Sequence, residues 1–240
     1  MKTVILAGGL GTRISEETAD KPKPMVLIDD KPIIWHVMDI YARQGFREFV
    51  IATGYKSEMI STWVEQEKNR SLKALSIEIL NTGLETQTAG RIRKSLEFVG
   101  EKEIMVTYGD GLGNVNLNKL IEFHNSHGKI ATVTAVRPPA RFGFLHSENG
   151  VVTEFGEKNQ ADAGWINGGF FLLNQDVSRY LKNDSDPFES TSLPALVKNK
   201  SLMAFHHEGF WQPMDTLREK NELSRLSHLN PPPWIQGITN

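Results

Sequence analysis

The sequence predicts an α/β protein. Three layers, α/β/α, are expected around a mostly parallel central sheet, with a small β-rich appendage in the second half. Three observations predict this. Apolar strand-like runs alternate with amphipathic helical stretches from residue 3 to about residue 136. The first run is unbroken and ends on glycines, as in a strand covered on both faces. Beyond residue 137 the alternation gives way to a hairpin pattern. Strand–helix units repeating at this length imply parallel strands with helical crossovers, which places helices on both faces.

Each element has its own signal. "KTVILA" is the first buried strand. "PIIWHVMDIYARQG" carries Ile34, Val37, Met38 and Tyr41 at helical spacing, with Pro32 near its start and Gly45 at its end. "REFVIATG" is the next strand, and "SEMISTWVEQEKN" the next helix, with Ser57 as its N-cap. "LSIEIL" alternates as a strand, and "TAGRIRKSLEFVG" sets Ala89, Ile92, Leu96 and Val99 on one helical face. "EIMVTYGDG" is a strand ending on a glycine-flanked aspartate; "NLNKLIEFHNSHG" is a helix and "KIATVTAV" a strand. "RFGFLHSENGVVTEFGE" reads as a hairpin turning at Asn149-Gly150. "AGWINGGFFLLN" is a glycine-broken strand, and short helices are expected over 187–199 and 216–228. The tail "LNPPPWIQGITN" cannot fold alone and is expected as a disordered end or a strap on a neighbour. The organisation expected is one domain over 1–230, with halves 1–137 and 138–230, and a tail 231–240.

Composition narrows the functions. Of 240 residues, 27 are Lys or Arg and 29 Asp or Glu, for a formal net charge of -2. That balance argues against a nucleic-acid or membrane-surface binder, which shows a basic excess. Small anionic ligands need only a local patch and stay open. Without cysteine there are no disulfides or thiolate metal sites. No apolar run approaches a membrane span. "MKTVILAGG" is followed by charged "RISEETADK" and reads as a strand, not a signal peptide, so a cytoplasmic protein is expected. The seven histidines show no metal spacing. His206 and His207 are adjacent, so they face opposite sides of a strand, while His124 and His127 flank a helix end and are expected in solvent.

The glycine cluster "LAGGLGTRISEETADKPKP" carries the first chemical signal. A P-loop needs Lys-Ser/Thr after its last glycine, but Thr12-Arg13 follows Gly11. A dinucleotide fingerprint fits Gly9 and Gly11, yet the third glycine position is Ile14. Pro22 and Pro24 also stop any helix begun at Ser15. The remaining reading is a loop whose backbone N–H groups approach phosphates. Arg13 offers a fork matched to phosphate oxygens, and Lys23, braced by two prolines, is a positioned point charge. An ordinary glycine turn with surface cations is the bland alternative.

Two aspartates add a second signal. Asp110 in "TYGDG" lies at the carboxyl end of a strand, the edge where open α/β sheets bind ligands. It also suits a plain Asp-Gly turn. Asp215 in "GFWQPMDTLRE" suits an N-cap for the following helix. Together the pair suits one Mg²⁺ completed by phosphate oxygens.

The stretches "MKTVILAGGLGTRISEETADKPKPMV", "KPIIWHVM", "TAGRIRK", "TYGDG", "RFG", "INGGFF" and "GFWQPMDTLREK" run in this order over nearly the whole chain. The set resembles the sugar-nucleotide pyrophosphorylases. "GGLGTR" with "KPKPM" marks the wider superfamily, and "SEET", "TAGR" and "FWQPMDTLR" its cytidylyl branch. The resemblance implies a Rossmann-like nucleotide-diphospho-sugar transferase fold, with a nucleotide-binding first half and a sugar-phosphate-binding second half. It implies that CTP and a sugar 1-phosphate, glucose 1-phosphate foremost, give a CDP-sugar and pyrophosphate with Mg²⁺, in a homo-oligomer. By the same resemblance Leu6, Ala7, Gly8, Gly9, Gly11, Thr12 and Arg13 cradle the triphosphate and base, with Gly109 beside them. Lys23 lies on the phosphates; Thr88, Gly90 and Arg91 read the base; Asp110 and Asp215 hold the metal. Arg13, Lys23 and Asp110 are the catalytic set. Glu157 and Lys158 hold the sugar and its phosphate, and Asn167, Gly168 and Gly169 meet the sugar hydroxyls.

Two departures from the pattern stand out: Asn159 occupies a proline position, and the stretch from Trp63 to Thr88 is short for this branch. The rival readings are the same reaction with UTP or dTTP or another sugar, and a non-catalytic nucleotide-sugar binding module.

Overall fold

A computed structural model describes residues 1–139, 143–157 and 164–238. The first half contains β1 (Thr3–Ala7), a four-residue α1 (Ser15–Thr18), the short pair β2 (Leu27–Ile28) and β3 (Lys31–Pro32), and α2 (Ile33–Ala42). It continues through β4 (Glu48–Thr53), α3 (Ser57–Glu67), β5 (Ser76–Asn81), α4 (Thr88–Val99), β6 (Glu103–Tyr108), β7 (Gly111–Gly113), α5 (Leu117–His127) and β8 (Ala131–Val136). Then follow β9 (Gly143–Glu148), β10 (Val151–Glu157), β11 (Ile166–Asn174), α6 (Leu193–Lys198), β12 (Leu202–His207), β13 (Trp211–Pro213) and α7 (Leu217–Ser227). The main sheet has the order β12-β8-β11-β6-β1-β4-β5. All neighbouring pairs are parallel except those of β11, which runs against both β6 and β8. The mostly parallel three-layer architecture read from the sequence is therefore present.

Alternation along the strands divides the core between two faces. Ile5, Phe49, Ile51 and Met105 point to one face, where they pack with Ile33, Val37 and Tyr41 of α2, Ile60 of α3 and Leu120 of α5. Val4, Leu6, Val50, Val106 and Phe171 point to the other, with Ala89, Ile92 and Leu96 of α4 and Leu196 of α6. Each fully buried side chain of this kind is worth about 1.5–3 kcal/mol, so the central strands fix the register of everything attached to them. β9 and β10 form the expected hairpin, with Asn149 at φ 50 and Gly150 at φ 83 in its turn.

Three local expectations are corrected. Ser57 does not cap α3: it is the first helical residue after Lys56, and its hydroxyl bonds Thr53 Oγ1 at 2.7 Å. His124 is not solvated but buried, because Thr132 on the adjacent strand gathers both histidines. The threonine Oγ1 lies 2.7 Å from His124 Nδ1 and 2.8 Å from His127 Nε2. Burial, then the neighbouring His127, pushes His124 down to about 4. The tail folds back on its own domain. Trp234 is 1% exposed and packs edge-on to His36, and Asn114 donates to the carbonyl of Gln236 at 2.9 Å. Among the described residues no helix is long and apolar enough to cross a membrane.

Candidate active site

The strand order turns at β1. Strands β4 and β5 are laid down on one side of it and β6 on the other. At such a switch point the loops leaving adjacent strands diverge and open a crevice at the carboxyl edge. Here the loop after β1 and the turn after β6 border a cavity of about 860 Å³. Leu6, Ala7, Gly8, Gly9, Gly11, Thr12, Arg13, Lys23, Thr88, Arg91, Gly109, Asp110, Asn167, Gly168 and Asp215 all line it. Gly90 and Gly169 are not among its lining residues.

The glycine loop follows from close packing. Gly11 adopts φ +68, and a Cβ there would meet Thr18 Cγ2 at 3.0 Å and Lys23 Cβ at 3.1 Å. Glycine is the residue that takes this backbone without strain and leaves that space. The chain then makes a short turn at Thr12–Ile14 and the brief helix α1, whose Thr18 hydroxyl reaches back to the carbonyl of Gly11 at 3.0 Å. Pro22 and Pro24 frame a second turn that carries Lys23 inward, where it is 7% exposed.

Asp110 and Asp215 meet through a small ladder. β7 follows Asp110, β13 precedes Asp215, and the two strands pair with Gly111 opposite Pro213. Met214 N–H also donates to the carbonyl of Asp110 at 2.9 Å. Asp215 is not the N-cap of α7. Thr216 takes that position in a capping box with Glu219, whose carboxylate also accepts from Asp215 N–H at 2.8 Å. The Asp215 side chain is thereby left for the cavity. Lys23 Nζ lies 2.5 Å from Asp110 Oδ2 and 2.6 Å from Asp215 Oδ1, and Arg13 donates to Asp215 Oδ2 at 2.7 Å. Burial alone would lower the pKa of Lys23. Asp110 and then Asp215 outweigh it, so the net shift is upward and the ammonium stays charged.

Both carboxylates already converge on one cation, the lysine ammonium. Among the described residues no group of three or more His, Cys, Asp or Glu side chains gathers. A converging pair of carboxylates suits a hard ion that takes its other ligands from phosphate oxygens and water, so these residues fit Mg²⁺.

Arg91 is placed differently from the sequence expectation. It lines the cavity from behind the loop and is 4% exposed. Its guanidinium donates to the carbonyls of Thr53 at 2.8 Å, Gly8 at 3.0 Å, Gly83 at 3.1 Å and Leu84 at 3.4 Å, and to the Thr82 hydroxyl. It ties the ends of β1, β4 and β5 together, through four backbone carbonyls and the Thr82 hydroxyl. Gly8 is small for the same reason, since a side chain there would collide with this guanidinium. Gly90 serves packing too: a Cβ on it would meet the Asp184 backbone at 2.7 Å.

The second half contributes the opposite wall. Gly168 is buried and its carbonyl accepts from Trp211 Nε1 at 2.8 Å. Gly169 turns at φ +79 with the Tyr108 ring against it. The backbone of Glu157 ends β10; its side chain, and Lys158 entirely, lie outside the described residues. Among the lining residues that sequence reasoning did not single out is a carboxylate. Glu189, from the π-helical turn Phe188–Ser192, reaches the cavity and accepts from Tyr108 Oη and Thr88 Oγ1.

A switch-point cavity edged by a glycine loop, two cations and two carboxylates belongs to the α/β proteins that bind phosphorylated ligands. The comparisons narrow the class. Residues 2–218 match the family model described as "Nucleotidyl transferase", and the chain belongs to that family. It is 42% identical to the glucose-1-phosphate cytidylyltransferase of Salmonella typhi, over 98% of each chain. It is 40% identical to the probable glucose-1-phosphate cytidylyltransferase of Bacillus subtilis, over 99% of this chain and 97% of that one. Among solved structures it is similar to HddC from Yersinia pseudotuberculosis complexed with GMP-PN. That likeness has a TM-score of 0.72 and 26% identity over 93% of this chain and 98% of the other.

Proposed function

We propose that this chain is a nucleotidyltransferase that makes CDP-glucose and pyrophosphate from CTP and glucose 1-phosphate. The observation that carries the reaction type is the convergence of Arg13, Lys23, Asp110 and Asp215 at one end of a nucleotide-sized cavity. The nucleotide and sugar are argued from the relatives of 40–42% identity, which are aligned over nearly their full lengths.

The nucleophile is a phosphate oxygen of the sugar phosphate. It is already anionic, so no general base is needed. It attacks the α-phosphorus of CTP in line, a new P–O bond forms, and the bond to the bridging oxygen breaks. The electron pair leaves with pyrophosphate. Catalysis of this kind is chiefly positioning and charge neutralisation. The glycine-loop amides hold the triphosphate. Arg13, at the cavity edge, neutralises the charge that grows on the leaving group. Lys23 and Lys158 bring the two phosphates together, and Asn167 meets the sugar. Asp110 and Asp215 would hold Mg²⁺, which when bound supplies charge that offsets the repulsion between the two anions. Arg91 holds the loop in shape and leaves base contacts to the stretch 84–88 in front of it.

A pyrophosphate-release panel of four NTPs against several sugar 1-phosphates tests this reading. Turnover with CTP and glucose 1-phosphate is the expected result. Activity with UTP or dTTP alone would remove the cytidylyl assignment, and silence across the panel would favour a binding module.

A further inference from the structure

Glu189 joins the two ends of the cavity. One carboxylate oxygen accepts from Tyr108 Oη at 2.5 Å and the other from Thr88 Oγ1 at 2.7 Å. Tyr108 Oη in turn lies 3.1 Å from Asn167 Nδ2, and Asn167 Oδ1 lies 2.8 Å from the N–H of Gly169. The ends of this chain allow one direction only. A backbone N–H can only donate, and an ionised carboxylate can only accept. Gly169 N–H therefore donates to Asn167 Oδ1, Asn167 Nδ2 donates to Tyr108 Oη, and the tyrosine hydroxyl donates to Glu189. Gly169 makes the arrangement possible, because a Cβ there would meet the Tyr108 ring at 2.5 Å. The Asn167 amide is thus fixed with one N–H spent on Tyr108 and the other available to a hydroxyl oxygen in the cavity.

We propose that Glu189 is a positioning residue for the sugar: acting through Tyr108, it sets the orientation in which the Asn167 amide meets a sugar hydroxyl. The inference rests on the proposed reading that Asn167 faces the sugar. Thr88 has a second tie, since its hydroxyl accepts from Phe188 N–H at 2.7 Å. Tyr108 Oη has no other acceptor among the described residues. Loss of Glu189 therefore disturbs the sugar end more than the nucleotide end. A Tyr108 hydroxyl without its acceptor turns toward Asn167 Oδ1, which competes with the Gly169 N–H.

The test is a double-mutant cycle with steady-state kinetics on Glu189→Ala, Tyr108→Phe and the pair. Each single change is expected to raise KM for glucose 1-phosphate about tenfold, the scale of one lost hydrogen bond. KM for CTP should move by less than about threefold. The double variant should be no worse than either single one, because both cut the same chain. Glu189→Gln, which keeps one acceptor, should recover part of the loss. Additive effects would mean that Glu189 touches the ligand directly and would overturn the proposal, as would a loss confined to CTP. A wild type silent on every substrate pair counts against the enzyme reading, not against the chain of bonds. In that case the side-chain amide signals of Asn167 in a ¹⁵N–¹H spectrum decide: they should shift in Glu189→Ala, and unchanged signals would overturn the proposal.

Discussion

Lys23→Met removes one charge and little volume from the tightest electrostatic point of the cavity. The lysine is 7% exposed and bridges two carboxylates. Without it, Asp110 and Asp215 face each other across the space of one ammonium. Breaking a buried ion pair from one side costs about 3–5 kcal/mol. Here Arg13 remains on Asp215 Oδ2, and the Asp110 side chain is 26% exposed, so solvent and Arg13 bring the cost to or below the bottom of that range, about 2–3 kcal/mol. In a chain of this size each kcal/mol moves Tm by about 2–4 °C, so the variant should melt about 4–12 °C lower. The sign with pH is fixed by the lysine. Its folded pKa lies above 10.5, so its contribution is complete below pH 10.5 and disappears only as pH rises through the raised value. Thermal unfolding at neutral pH in EDTA therefore reads the whole effect. Adding millimolar Mg²⁺ should then raise Tm more in the variant than in the wild type. The ion stabilises the folded form by binding it, and in the wild type Lys23 already fills that space. Equal melting of the two proteins in EDTA would refute the reasoning, since the lysine would not be holding the carboxylates together.

Arg13→Ala should lower kcat by about 10²-fold, the scale of one lost electrostatic donor, and near-normal pyrophosphate release would remove Arg13 from that role. Asp110→Asn should abolish Mg²⁺-dependent turnover; a metal titration that matches the wild type counts against the assignment. Arg91→Ala should lower stability by about 2–3 kcal/mol in urea unfolding, because four backbone carbonyls and a hydroxyl lose a buried donor. Arg91→Lys should not restore it, since an ammonium cannot span that fork of acceptors. His124 is held down at about 4 against an ordinary 6.5, so its contribution is present above pH 6.5 and is lost as pH falls toward 4. That loss is on the order of 3 kcal/mol, and His124→Gln, which cannot titrate, should flatten the urea midpoint over this range.

Most of the sheet was legible because its signal is local. An unbroken run such as "KTVILA" states its own burial, and the prolines around Lys23 state their own turn. The cavity edge was legible for a related reason. A glycine loop after a first strand and an aspartate after a later parallel strand reach the same edge in any doubly wound sheet. What was not legible depends on which surface a residue faces once the chain has folded. Nothing in "NSHGKIATVT" says that Thr132 will draw His124 and His127 inward, because that contact exists only once α5 lies against β8. The Trp234 tail is similar: its composition reads as a loose end, and a site on α2 outside its own neighbourhood gives it a core position.

Arg91 and Glu189 show the same limit within the site. Both are charged residues next to recognisable segments, and residue type alone allows either to touch a ligand. α4 starts beside the ends of β1, β4 and β5, so Arg91 points back beneath three strand ends and spends its donors there. Glu189 lies in an unremarkable segment far from every motif. Gln87 and Ala89 donate their N–H groups to the carbonyls of Asp184 and Asp186, which stitches that segment to the first turn of α4 and delivers the carboxylate to the cavity. The motif residues therefore define the phosphate end of the cavity. Its other end is shaped by hydrogen bonds between segments about 100 residues apart, as in the bonds of the Thr88 hydroxyl to Phe188 N–H and the Glu189 carboxylate, and sequence spacing carries no record of these.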